Sequence, residues 1–392
     1  ASTDLPSSTT RPPVPITLVV CGILSWLLYL VLLWLSARFA WGTPTESRPL
    51  LIVLGIFAAQ FALYLRAARS VEKVAVGSRS LAVILVFSVA FRLVMLFSEP
   101  IQEVDAYRYL WDGKVAAAGV NPFRYSPQQV RSAGSTGPLP QDLSTLVSVR
   151  DRSGSNAEIL FRVHFGELTT VYPPISQLVF AAVAVVTPPE ASVRTQLILM
   201  KSAIVVFDLL TLALVIALLK AVGRPPEWSI LYAWCPLLMK EFANSGHLDA
   251  IAVCLTTSAL FCAAKAFFPQ QNSAVETEVP SRGRTLWLIL CAVSLTLAVG
   301  AKIYPVILFP LLFLRSWRLF GSGRTIFLAS VTLLLCTGMI LPMLDRNSDP
   351  TPPGPSLLTD ADHLASPTES SDSATFDLNT GLAAFTSQWQ MN

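Results

Sequence analysis

The feature that most limits what this chain can fold into is a series of apolar runs. Several are long enough for a helix to cross a hydrocarbon core of about 30 Å. They fall at residues 16–36, 50–65, 81–97, 196–219, 229–244, 250–268, 285–300, 304–316 and 325–342. In lipid every backbone N–H and C=O must be satisfied within the protein, so these runs are predicted to be helices. Charge agrees: only 14% of the 392 residues are charged, against about 25% in soluble domains, and the mean hydropathy is +0.57. The predicted fold class is therefore an all-α integral membrane protein, a multi-spanning helical bundle. The 16–36 run has no basic start and no small-residue cleavage pattern, so it reads as a first span rather than a cleaved signal. A net charge of +3 is too small to point to nucleic acid. All six cysteines lie in apolar runs without C-x-x-C spacing, which suits small buried hydrophobes better than disulfides or metal ligands.

A tenth apolar run, residues 172–187, is shorter and begins at Pro173-Pro174. Whether it spans decides the topology, and the positive-inside rule arbitrates. If it dips in and returns, four basic loops share one side. These carry Arg66, Arg69, Lys73 and Arg79; Lys220 and Arg224; Lys265, Arg282 and Arg284; and Arg315, Arg318 and Arg324. The loop 344–378, with seven acids and one arginine, then falls on the other side. If the run spans, the basic loops split. The non-spanning reading is the expected one. It makes the N-terminus cytoplasmic and places the long loop 98–171, Gly246 and Lys302 outside. Three regions follow: a tail and helical hairpin over 1–80, a transmembrane core over 81–343 that includes the loop 98–171, and an outer loop over 344–392. The Pro/Ser/Thr-rich stretch 347–375 lacks the apolar content for a core, residues 382–389 look amphipathic, and the chain is expected to continue beyond Asn392.

The loop 98–171 opens with Glu103-Val-Asp-Ala-Tyr-Arg-Tyr-Leu-Trp-Asp-Gly. At helical spacing Tyr107, Trp111, Val115 and Ala118 share one face, and Asp105, Arg108 and Asp112 another. Arg108 and Asp112, four apart, can pair. This pattern predicts a helix lying flat at the membrane interface, with Gly119 and Asn121-Pro122 ending it. A purely structural helix accounts for the pattern equally well; what favours chemistry is Asp105, placed where span meets helix at headgroup depth.

Charged residues inside spans need a reason, since each costs roughly 2.5–3.5 kcal/mol at a helix centre. Lys201 and Asp208 lie two turns apart on one face, as packing partners within the bundle or as a functional pair. Arg92 is expected either to snorkel or to face an anionic headgroup. The turn Lys240-Glu-Phe-Ala-Asn-Ser-Gly-His-Leu-Asp249 carries His247 and Asp249. Asp249 could simply cap the next helix, and His247 could be an ordinary interfacial histidine. Lys302-Ile-Tyr-Pro305 forms another outer turn, where Lys302 could simply snorkel. Short, proline-interrupted helices that meet at one depth are also how membrane proteins build polar sites. All these turns lie on the side of Asp105, which argues for one site.

Several motifs occur in order between about residues 98 and 310. They are Asp105-Ala-Tyr-Arg-Tyr-Leu-Trp-Asp-Gly, Ala118-Gly-Val-Asn-Pro-Phe, Val171-Tyr-Pro-Pro, Tyr232-Ala-Trp-Cys-Pro-Leu with Glu241, Ser245-Gly-His-Leu-Asp and Lys302-Ile-Tyr-Pro. Together they resemble the bacterial polyprenol-phosphate mannosyltransferase-like proteins, relatives of glycosyltransferase family 87 within the GT-C superfamily. Where such proteins often carry two adjacent acids before Tyr-Arg-Tyr, this chain has Val104, with Glu103 one position earlier. Residues before 80 lie outside the resemblance.

The resemblance implies a GT-C membrane enzyme of the inner membrane, active on its outer face. It would transfer mannose or another hexose or pentose from a polyprenyl phosphate to a glycan or glycolipid acceptor, with inversion. Asp105 would be the catalytic base. Lys302, with Arg108 or His247, would stabilise the phosphate leaving group. Tyr172 would shape the interfacial wall and Asp249 would orient His247 or sugar hydroxyls, with Glu103, Tyr107, Asp112 and Tyr304 as further substrate-binding residues. No nucleotide-binding glycine loop or metal cluster is legible, so neither a cofactor nor a metal is expected; membrane lipids are the remaining partner. The rival classes are a lipid or solute transporter built on Lys201 and Asp208, and an inactive GT-C-like scaffold. No internal repeat of the transporter kind is visible.

Overall fold

The computed structural model describes residues 14–72, 78–134, 138–268 and 282–345. The expectations for residues 347–375 and 382–389, and for Lys73, lie outside the described residues. Three helices open the chain: α1 (Ile16–Ser36), α2 (Leu50–Glu72) and α3 (Ser78–Leu96). A group of shorter ones follows, α4 (Asp105–Ala117), α5 (Pro127–Ser132), α6 (Gln141–Asp151), α7 (Gly154–Arg162) and α8 (Pro174–Val186). Next come α9 (Val193–Ala221), the short α10 (Ile230–Ala233) and α11 (Pro236–Leu238), then α12 (Asp249–Phe267), α13 (Arg282–Ala301), α14 (Phe309–Phe320) and α15 (Ser322–Leu344). No strand occurs among the described residues. Seven helices, α1, α2, α3, α9, α12, α13 and α15, are long and apolar enough to cross a membrane. The chain is a multi-pass helical membrane protein.

Two predicted apolar helices are broken. Residues 229–244 form a 3-10 turn (Pro226–Ser229), α10, α11 and a π-helical turn (Met239–Asn244) instead of one helix. Pro236 brings no N–H and forces Cys235 into extended backbone, so the ladder stops there. Residues 304–316 likewise divide into a 3-10 turn (Tyr304–Leu308) with Pro305 at its start, and α14. Hydropathy alone is blind to such breaks.

The ends of the bundle can be followed through polar contacts. Lys201 of α9 donates to the carbonyls of Met95 (3.1 Å) and Ser98 (2.6 Å) at the end of α3, and Arg92 meets Asp208 one level deeper. α9 is therefore antiparallel to α3, and its start projects past the end of α3. Asn244 bonds Ser98, Glu99 and Ile101, bringing the end of the broken segment to the same place. At the opposite end Arg284 donates to the Ala266 carbonyl and stacks near Phe320, while Arg315 lies over Phe268. Two of the four basic loops, those that carry Arg284 and Arg315, thus meet at one end. α8 starts beside Ala301, where Ser176 bonds its carbonyl, and is followed by α9. Its 13 residues reach only about 20 Å, short of a hydrocarbon core of about 30 Å.

Arg92 neither snorkels nor faces a headgroup. It is buried, with Nε and Nη2 on the Asp208 carboxylate (2.6 and 3.1 Å) and Nη1 on the Ala233 carbonyl and Ser88. Asp208 also accepts from Tyr232 (2.7 Å). Lys201 and Asp208 are therefore not partners of each other. A charge in a low-dielectric interior persists only when its hydrogen bonds are complete, and here the broken segment supplies the completing carbonyl at Ala233.

The prediction for α4 also needs correction. Its aromatic and charged faces are not divided between two environments: residues 106–113 are all buried, charged ones included. α7, α8 and α9 pack around it, and Gly113 meets the Phe180 backbone of α8 so closely that a Cβ would collide with it. Tyr109 stacks on Phe180 at 4.7 Å. The helix that carries Asp105 is a core element of the membrane-end assembly, held from every side.

Candidate functional site

Asp105 begins α4, where unpaired N–H groups and the helix dipole favour negative charge. Glu103 supplies part of that charge, its Oε1 accepting from the backbone N–H groups of Val104 (2.9 Å) and Asp105 (3.0 Å). Glu103 thus caps the helix, a role its position two residues before Asp105 did not suggest. Asp105 Oδ2 accepts from the Tyr172 hydroxyl at 2.8 Å. Burial, then the Glu103 charge, raise the Asp105 pKa; the Tyr172 hydrogen bond and the charges of His247 and Arg108 pull it back only in part. A carboxylate in this state is a stronger base than a solvated one. Burial and the neighbouring Asp105 charge push the Tyr172 phenol well up, so it stays a donor.

The second half of the site comes from two turns at the same end. Gly246 has φ +69°, which turns the chain sharply after the π-helical turn and lets its backbone lie against Lys201. His247 and Asp249 follow. The Asp249 carboxylate receives the Lys302 ammonium on both oxygens (2.6 and 2.7 Å) and the Nδ1–H of His247. Lys302 stands at the end of α13 and its side chain keeps 39% of its surface exposed. Burial opposes protonation of His247, but the hydrogen bond and charge of Asp249 outweigh it and raise the imidazole pKa. One carboxylate therefore aims two cations, one of which, Lys302, stands 53 residues away in the sequence. His247 lies edge-on to Tyr109 at 6.4 Å, and Tyr109 is edge-on to Tyr172 at 5.0 Å, so an aromatic wall joins the two halves.

Asp105, Glu103, Tyr172, His247, Asp249 and Lys302 are brought together. Three other predicted substrate contacts are not open. Arg108 is held by Asp112 (3.0 Å) and the Leu168 carbonyl (2.9 Å), and Asp112 accepts in turn from Gln177 (3.3 Å). Both side chains are at most 9% exposed, so they fix α4 rather than reach a substrate. Tyr107 is buried and accepts a hydrogen bond from Arg162 (2.9 Å). Tyr304 is exposed on the turn after Lys302 and near enough to Asp249 for that charge, after burial, to raise its phenol pKa. Tyr109 and Arg162 were missed: the first sits inside the Tyr-Arg-Tyr motif, and the second carries no sequence signal. Among the described residues no group of three His, Cys, Asp or Glu side chains forms a metal-ligand set.

A helical multi-span bundle with a carboxylate and a pair of aimed cations at one end defines the general class. More particularly, residues 160–318 match the model of the MptA/B family, described as the alpha-(1->6)-mannopyranosyltransferase N-terminal domain. The matched stretch, less than half of the chain, takes in Tyr172, His247, Asp249 and Lys302 but begins after Asp105. It supports a membrane glycosyltransferase of mannosyltransferase kind; the relation to family 87 rests on the motifs alone. Comparisons with curated proteins and with solved structures gave no match.

Proposed function

We propose that the protein transfers a mannosyl residue from a polyprenyl phosphate to a glycan or glycolipid acceptor on the outer face of the inner membrane. The observation that carries this reading is the half-buried, raised-pKa Asp105 beside the Asp249-held His247 and Lys302. In the reaction the acceptor hydroxyl oxygen attacks the anomeric carbon and its proton passes to Asp105. The bond from that carbon to the phosphate oxygen breaks on the opposite face, inverting the centre. The negative charge growing on the phosphate falls beside Lys302 and protonated His247, where oriented cations stabilise it most. Ile303, Val306 and Ile307, all exposed, follow Lys302 directly and offer an apolar surface to the prenyl chain. The chemistry needs no nucleotide, and its cations are side chains.

The transporter reading relied on Lys201 and Asp208, and both are fully buried with complete partners of their own. The test is transfer by the purified protein from a panel of labelled polyprenyl-phosphate sugars. Mannose should be transferred, and Asp105→Asn should lower the rate by about 10²–10⁴-fold, the usual contribution of a positioned base. Glu103→Gln should lower it much less, since its amide oxygen can still cap α4. Full activity of both variants would rule out the carboxylate mechanism.

A further inference from the structure

A cavity of about 540 Å³ opens beside Glu103, and neither His247 nor Lys302 lines it; its size is within the range of about 300–1,000 Å³ typical of small-ligand sites. His164, after α7, completes its walls, which otherwise come mostly from two places far apart in the sequence. One is the loop between α1 and α2, with Trp41 and Arg48; the other is the approach to α4, with Glu99, Gln102, Glu103 and Tyr107. Trp41 is edge-on to Tyr107 at 5.8 Å, and Arg162 lies near both rings, at 5.6 and 5.2 Å from their centres. Held in this way, the indole still keeps 41% of its surface exposed. Gln102 sits at φ 54°, a left-handed backbone that a residue with a side chain adopts at some cost. That backbone lets its amide oxygen accept from Arg48 Nη1 at 3.2 Å, while Arg48 Nη2 donates to the Thr43 carbonyl. Arg48 Nε is buried and has no hydrogen-bond partner among the described residues.

We infer that this cavity is the acceptor-carbohydrate subsite, built by the α1–α2 loop onto the catalytic end of the bundle. A sugar presents an apolar C–H face and a rim of hydroxyls. The cavity offers a fixed, part-exposed indole for the first, and the Glu99 and Glu103 carboxylates, the Gln102 amide and the Arg48 guanidinium for the second. Its position decides between acceptor and donor. It is lined by Glu103, whose carboxylate holds the Asp105 backbone N–H, and by none of His247, Asp249 or Lys302. In an inverting displacement the acceptor arrives opposite the leaving phosphate. The inference rests on the proposed transfer reaction for its direction, and it gives the hairpin before residue 80 a function of its own.

The test uses the full chain in detergent or nanodiscs and binding rather than turnover. The probes are a short α-(1→6)-linked manno-oligosaccharide, followed by saturation-transfer NMR, and polyprenyl-phosphate mannose. The wild type and Asp105→Asn should bind the oligosaccharide alike, because the base is needed for transfer and not for docking. Trp41→Ala and Glu99→Gln should each weaken oligosaccharide binding about tenfold or more and leave donor binding unchanged. Glu99→Gln guards against misfolding of the Trp41 variant, and retained donor binding certifies either fold. Oligosaccharide binding that is absent in the wild type, or unchanged in both variants, overturns the inference. So does a loss confined to the donor, which would make the cavity a donor site. Normal oligosaccharide binding without any transfer would instead count against the proposed reaction and leave the subsite standing.

Discussion

Two groups of charges in the bundle meet opposite fates. The inner group, Arg92, Asp208 and Lys201, is closed: every cation reaches carboxylate or carbonyl oxygens, and the Arg92 and Asp208 side chains are at most 1% exposed. The outer group, Asp105, His247, Asp249 and Lys302, is only partly satisfied, with 21–39% of the His247, Asp249 and Lys302 side chains open. A closed network in a low dielectric fixes a fold. A charge with bonding capacity left over can be lent to a substrate. Charge content alone therefore does not separate structure from chemistry in this protein; the exposure of the bonded charges does.

The largest effect is expected from opening the closed group. Arg92→Leu leaves Asp208 buried without its ion partner, and breaking a buried pair costs about 3–5 kcal/mol. A fall in thermal midpoint and in folded yield, measured by fluorescence-detected size exclusion, checks it. Pairing it with Asp208→Leu should recover much of the loss, because no unpaired charge remains. If the double variant is no better than the single, the comparison loses its inner half.

Lys302→Ala probes the open group. It should weaken polyprenyl-phosphate-sugar binding roughly 10- to 100-fold, the equivalent of one charged hydrogen bond at about 1.5–3 kcal/mol, with little change in midpoint. Lys302→Arg should keep part of the affinity, since the charge survives in a different geometry. Unchanged donor affinity in Lys302→Ala would make Lys302 a snorkelling residue.

The smallest effect lies in the pH profile of transfer. Asp105 acts ionised, so activity rises as pH climbs through its pKa, which lies above the ordinary carboxylate value of about 3.9. His247 acts protonated, so activity falls as pH climbs through its pKa, raised above about 6.5. Removing the Asp249 charge by Asp249→Asn should move the alkaline limb to lower pH and leave the acid limb in place. An alkaline limb that stays put would show that His247 does not carry it.

What the sequence disclosed and what it hid divide along the same physical line. Apolar run length is local, so all seven long helices were legible, and the shortness of the 172–187 run was legible with them. The resemblance placed Asp105, Tyr172, His247, Asp249 and Lys302 in one site, and the fold brings them together. Long-range pairing was not legible: nothing near Arg92 announces Asp208, 116 residues away. Nor does anything near Trp41 announce Tyr107. The amphipathic pattern of α4 misled because its charged face is buried by α8 and the 163–172 stretch, with Arg108 and Asp112 satisfying each other. A periodicity reports faces, not what covers them.

The central claim is that Asp105 belongs to the open, chemical group and Asp208 to the closed, structural one. Asp105→Asn and Asp208→Asn, prepared side by side, test it when each is scored for both transfer rate and thermal midpoint. Asp105→Asn should keep the midpoint of the wild type and lose transfer by about 10²–10⁴-fold. Asp208→Asn should lower the midpoint, and any protein that remains folded should transfer at close to the wild-type rate. A lowered midpoint with near-normal transfer for Asp105→Asn would contradict the account.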